Sequence, residues 1–345
     1  MRRLFFLFLL VFSIGCISTE PKSEAPVLKL YAYDSFVTYG LSKSISKFEV
    51  QCGCKVDVAT SGDAGSVLNK AILEKGSPQA DIIVGIDNDL LAKAQKEGVL
   101  EPYFSPNLDV VPDFLLFDKS GLVTPFDYGY IAIVYDSEKI KEPPASLDDL
   151  LSPRFNKSLV LEDPRTSSPG LAFLLWTIAE KNSSYLAYWK QLEPNLLTIA
   201  PSWDAAYGML TAGEAPMVLS YATSPAYHVE YENTTRYKAA SFQNGNYLQI
   251  EGMGLVKGAK HPALAKQFID WMLTSEFQQD IPLTNWMYPV DPNITLPASF
   301  AYAANVSRPV MLDAQYLDAN LPAWLSAWTE QTAVWLPSSA GQTVK

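Results

Sequence analysis

From residue 27 onward, strand-like and helix-like segments alternate regularly, and this feature constrains the fold most. Residues 27–33 alternate with period 2, residues 40–49 carry helical spacing that ends near Cys52-Gly53-Cys54, and residues 55–60 are again strand-like. A helix over 65–75 is expected to stop at Gly76. A short apolar strand follows over 81–86, then a helix over 89–97 with Gly98 as its stop. This βαβαβα opening predicts an α/β sheet with covering helices. Further strands over 128–135, 159–161, 197–199, 217–220 and 247–256 alternate with helices over 170–180, 184–191, 205–212 and 262–273. The strands at 128–135 and 247–256 stand where the chain would cross to a second lobe and return. The length suffices for two lobes of roughly 100–150 residues each. The expected division is lobe I from 27–127 plus 250–345, and lobe II from 128–249.

The N-terminus points to export. Arg2 and Arg3 precede an apolar run of about eleven residues, the length of a secretory h-region and well short of a span of roughly 20. The run ends in Ser13-Ile14-Gly15-Cys16, which resembles a lipobox in which Cys16 becomes the lipidated N-terminus. Ser13 departs from the usual aliphatic residue, so cleavage as an ordinary signal peptide is the alternative. Residues 17–26 are polar and contain proline, as a flexible tether would. The chain carries a formal net charge of −11, and cleavage before Cys16 would remove two more positive charges. That balance argues against nucleic acid as a partner and suits a cation. With two histidines and three cysteines, neither a multi-histidine metal centre nor a zinc site is expected. Cys52 and Cys54 could close a small disulfide or remain thiols.

Three kinds of side chain mark a binding site. Ser168-Pro169-Gly170 and Ser224-Pro225-Ala226 read as Ser N-caps with Pro at the first helical position, and residues 60–66 lead into another helix. Helix N-termini present free N–H groups that can hold a hydroxyl, carboxylate or phosphate. Trp203, Tyr221, Tyr227 and Trp286 sit in turn or helix-start contexts, where aromatic faces can meet a heterocycle or a cation. Asp34, Asp63, Asp87, Asp127 and Asp163 lie at strand ends. No G-x-S-x-G, H-E-x-x-H or P-loop motif is present. Nothing here encodes catalysis.

Six segments carry a resemblance to a known family: Tyr31-Ala-Tyr33-Asp34-Ser35-Phe36, Gly85-Ile-Asp87-Asn88-Asp89-Leu-Leu, Pro125-Phe-Asp-Tyr-Gly-Tyr130, Glu162-Asp-Pro-Arg-Thr-Ser-Ser-Pro-Gly170, Leu219-Ser-Tyr-Ala-Thr-Ser-Pro-Ala-Tyr-His228 and Asn285-Trp-Met-Tyr-Pro289. Together they resemble the periplasmic thiamine-binding proteins of bacterial ABC importers, over about residues 27–328. The resemblance implies a type II periplasmic-binding-protein fold, with two α/β lobes joined by a hinge of two crossover strands and a ligand enclosed on closure. It implies thiamine, or its mono- or diphosphate, as the transported ligand, with no cofactor and no enzymatic activity. The implied partners are a permease and, through it, an ATPase; the binding protein itself is expected as a monomer, which the lipobox reading would attach to the outer face of the cell membrane through Cys16.

By the same resemblance, ligand contacts fall on Asp63 and Ala64, on Ser167 and Ser168, on Trp203, and on Tyr221, Ala222, Thr223 and Ser224. Tyr33, Tyr227 and Trp286 supply aromatic walls. Ala64 stands where the family has glycine, and Ala222 and Ser168 where it has threonine. Two other readings remain: a thiaminase-like enzyme, which would need a cysteine nucleophile in the cleft, and a binder of another cation such as a polyamine or ferric ion.

Overall fold

The computed structural model describes residues 25–41 and 44–333. The proposed signal peptide, Cys16 and most of the tether lie outside these residues. The chain opens with β1 (Val27–Ala32), a short helical turn Phe36–Gly40, α1 (Ile45–Cys52), β2 (Lys55–Thr60) and α2 (Ala64–Leu73). It continues through β3 (Ile82–Asp87), α3 (Leu91–Glu97) and β4 (Leu100–Glu101). The long strand β5 (Thr124–Asp136) then crosses to β6 (Leu159–Glu162), α4 (Ser168–Lys181), α5 (Tyr185–Leu192), β7 (Leu196–Ala200) and α6 (Trp203–Thr211). β8 (Met217–Tyr221), α7 (Ser224–Glu232) and β9 (Tyr237–Ala239) follow, and β10 (Asn246–Val256) returns. α8 (Pro262–Met272), α9 (Ser275–Gln278), α10 (Ile281–Thr284), β11 (Tyr288–Pro289), β12 (Pro309–Val310) and α11 (Ala314–Thr332) complete the chain.

The main sheet path runs β2-β1-β3-β10-β5-β8-β6-β7. β1 is parallel to β2 and β3, while β10 is antiparallel to both β3 and β5. β5 is shared along its length. Residues 124–130 pair with β10, and residues 131–135 pair with β8. Two α/β lobes therefore meet at two strands, β5 and β10. Every residue of β10, and all of β5 except Tyr128 and Tyr130, is buried, as expected of strands covered on both faces.

Several local expectations shift, each for a physical reason. The first helix begins at Ile45 rather than residue 40 and ends with Gly53 in the left-handed region at φ +62°. α2 stops at Leu73, ahead of Gly76, which lies in the following turn. The Ser-Pro starts move by one residue: Ser167 and Thr223 are the caps, and Pro169 and Pro225 occupy second helical positions, where a missing N–H is still tolerated. Cys52 and Cys54 are joined in a disulfide. α11 packs on both α3 and α5, burying Trp328 against Trp189 at 5.4 Å between ring centroids. Its interior Pro322 obscures the helix in the sequence.

Candidate ligand-binding cleft

The strand ends of both lobes face a common cavity of about 270 Å3, close to the lower end of the ~300–1,000 Å3 usual for small-molecule sites. Helix starts reach it from both sides. Asp63 and Ala64 come from the start of α2, Ser168 from α4, Trp203 from α6 and Ser224 from α7. Tyr33, Tyr221, Tyr227 and Trp286 add aromatic walls, and Tyr39 and Tyr207 line it as well. Nine of the twelve sequence-derived contact positions thus meet in one cavity. Ser167, Ala222 and Thr223 are buried immediately behind it and do not line it. The Thr223 hydroxyl is buried without a hydrogen-bond partner, and the Ser167 hydroxyl sits beside Asp63 without a well-formed bond.

The lobes are closed over the cavity. Asp63 of the first lobe accepts from the backbone N–H of Trp203 in the second at 2.9 Å. Tyr227 and Trp286 meet edge to face across the mouth, 5.4 Å between centroids. The backbone N–H of Ala304 donates to the Ala222 carbonyl at 2.8 Å. A Cβ on Gly65 would sit 2.8 Å from the Thr166 carbonyl oxygen, so glycine permits the close approach of α2 to the opposite lobe. Trp286 holds φ +58°, a sparsely populated conformation for a bulky residue, two residues beyond the end of α10.

Charge in the cleft has one sign. Asp63, Asp204, Glu232 and Glu251 line it, and among the described residues no lysine, arginine or histidine does. Burial lifts the Asp63 carboxyl to about 6, opposed in part by Ser167 and the Trp203 N–H. Glu251 lies in register with Asp127 on β5 and with Asp87 on β3, placing three carboxylates in one row across the sheet, of which Glu251 lines the cavity. The Tyr33 hydroxyl donates to Glu251, Asn285 donates to Asp127 at 2.5 Å, and Gln249 donates to Asp87 at 2.9 Å. Burial raises Glu251 to about 7 and Asp87 to about 6, and raises Asp127 further, with the Glu251 charge adding to it. An enclosed, acid-lined, aromatic cavity favours a flat cationic ligand.

Sequence reasoning missed Glu251, Asp204, Tyr207, Tyr39 and Asn285 as lining residues. Glu251 had a signal, because it is the one charged residue inside a mostly apolar strand. Tyr207 had only its helical spacing from Trp203. Among the described residues the cysteines are Cys52 and Cys54, which are joined in a disulfide and do not line the cavity, so neither supplies the nucleophile that a thiaminase-like reading requires.

Residues 77–319 match the family model for bacterial extracellular solute-binding proteins. The chain is 40% identical to a thiamine-binding periplasmic protein of Brucella melitensis, covering 94% of this chain and 98% of that protein. It is 37% identical to the thiamine-binding periplasmic protein of Escherichia coli, covering 90% and 95%. A solved periplasmic thiamin binding protein superposes with a TM-score of 0.84 at 38% identity, over 89% of this chain and 96% of the other. The chain belongs to the bacterial extracellular solute-binding proteins, a family of non-enzymatic binding proteins.

Proposed function

We propose that this protein captures thiamine, or a thiamine phosphate, in the interlobe cleft and delivers it to an ABC importer. The observation that carries this reading is the lining itself: among the described residues it has four carboxylates, no basic side chain, and aromatic rings contributed by both lobes. Thiamine carries a permanent thiazolium charge, an aminopyrimidine and a hydroxyethyl arm. Trp203, Tyr227 and Trp286 suit the rings, Asp63 and Glu251 suit the cation and the amino group, and the helix starts at Ala64, Ser168 and Ser224 suit the hydroxyl or a phosphate. The names of the relatives support the same ligand. Tyr33 and Tyr221 complete the walls, while Ser167, Ala222 and Thr223 act from behind through backbone and packing.

Delivery engages a permease and, through it, an ATPase, with β5 and β10 as the hinge between residues 27–127 plus 250–345 and residues 128–249. Anchoring through lipidated Cys16 would hold the protein at the outer membrane face. Isothermal calorimetry with ligand-free protein tests the ligand. One thiamine per chain is expected, and tight binding of putrescine or ferric ion in its place would overturn the reading. Membrane-fraction recovery that is lost in Cys16→Ser tests the anchor.

A further inference from the structure

We propose that His228, which does not touch the cavity, is a positioning residue whose neutral tautomer fixes the Tyr207–Trp203 wall, so that protonating it weakens ligand binding. The inference rests on the cleft being the ligand site. His228 is fully buried. Its Nδ1 lies 2.7 Å from Glu232 Oε2 and its Nε2 lies 2.8 Å from the Tyr207 hydroxyl. The Tyr207 ring stacks on Trp203 at 4.8 Å between centroids, and its hydroxyl end meets His228, whose ring centroid lies 5.9 Å away with the two planes within 19° of each other. Trp203 is pinned at its far side by its indole N–H, which donates to Ser220 Oγ at 2.9 Å. A stacked pair of rings and one hydrogen bond thus connect the cleft wall to a buried imidazole.

The donor inventory sets its state. A carboxylate only accepts, so Nδ1 carries a hydrogen for Glu232, and neutral Nε2 is left to accept from the Tyr207 hydroxyl. The Ser224 hydroxyl also faces the Tyr207 oxygen. Protonation would make both ring nitrogens donors. Tyr207 would then have to accept from Nε2 and turn its own hydrogen toward Ser224, itself bonded to Ser220 at 2.8 Å. That reversal disturbs the two side chains, Tyr207 and Ser224, that line the cavity.

The groups facing His228 are Glu232 and Tyr227 from α7, Tyr207 from α6 and Tyr237 from β9. Arg236, beside Tyr237, is engaged by Asp136 at 2.6 Å. Glu232 favours the imidazolium, but burial opposes it more strongly and the pKa falls below its usual value. The neutral form is therefore the resident one, and acid populates the form that misplaces the wall.

The test compares the ratio of the thiamine Kd at pH 5.5 to that at pH 8 in wild type and in His228→Gln. Glutamine can accept from Tyr207 and donate to Glu232, yet it does not titrate. The ratio is expected to be about threefold smaller in His228→Gln, and His228→Ala should weaken binding at pH 8 about tenfold relative to His228→Gln. Equal ratios in wild type and a folded His228→Gln overturn the proposal. If His228→Gln does not fold, NMR of ligand-free Glu232→Gln decides: losing the charge that favours imidazolium should move the His228 titration, and with it the Trp203 indole N–H signal, to lower pH, and a Trp203 signal that does not follow His228 refutes it. If wild type binds no thiamine at pH 8, the ligand reading fails, and His228 is judged by NMR of the ligand-free protein. There the Trp203 indole N–H signal should follow the His228 titration, and independence of the two overturns the proposal.

Discussion

Replacing Asp63 by asparagine should move stability and affinity in opposite directions. The folded Asp63 carboxyl titrates near 6, lifted by burial from an ordinary value of 3.8. Protons bind the folded form more tightly than the unfolded one, so ligand-free stability falls as pH rises from about 4 through 6. At pH 7.5 the ionised group costs the empty protein about 3 kcal/mol, at 1.36 kcal/mol per pH unit. Asparagine removes that cost, keeps an oxygen that can accept from the Trp203 N–H, and introduces an amide to be satisfied at roughly 1–2 kcal/mol. A net gain of about 1 kcal/mol follows, or about 2 °C in Tm for a chain of this size. The bound cation loses its partner at the same time. A charge pair about 5 Å apart at an effective dielectric near 20 is worth about 3 kcal/mol, so thiamine affinity should fall at least tenfold. Differential scanning fluorimetry reads the first effect and calorimetry the second. A lower Tm with unchanged affinity would refute the reasoning.

Three further outcomes are expected. Trp203→Ala and Tyr227→Ala should each weaken binding by at least ~1 kcal/mol in calorimetry, with near-native circular dichroism. Gly65→Val should prop the lobes apart against Thr166, weakening binding and leaving the radius of gyration in X-ray scattering unchanged on adding ligand; a normal contraction would contradict the close contact. A bound cation favours ionised Asp63 and Glu251, whose empty-cleft values are about 6 and 7, so affinity should rise from pH 5 to 7.5. Calorimetry in buffers of different ionisation enthalpy should then show net proton release near pH 6, and uptake would reverse the assignment.

The sheet was legible because its strands are apolar runs of the right length and its helices repeat at 3.6 residues. The crossover strands stood out for the same reason, although β5 begins four residues before its apolar signal, at Thr124, where the chain already pairs with Met253. Helix ends were less legible. Gly53 and Gly98 do cap helices in the left-handed region, whereas Gly76 falls beyond an earlier stop, and glycine identity alone does not separate these cases. Of the cleft, the helix starts were visible as Ser-Pro pairs and the aromatic walls through family resemblance. Asp87 and Asp127 stood out as strand-end acids, but their row with Glu251 did not, because the three are distant in sequence and become neighbours only through strand register. The Tyr207–His228–Glu232 chain escaped for a similar reason, joining two helices that no local pattern relates.

The most direct test of thiamine capture is mass spectrometry of the small molecules released by denaturing protein purified without added thiamine. Thiamine or one of its phosphates, close to one per chain, is the expected result. Its absence, together with no calorimetric binding of thiamine by the refolded, emptied protein, would contradict the assignment.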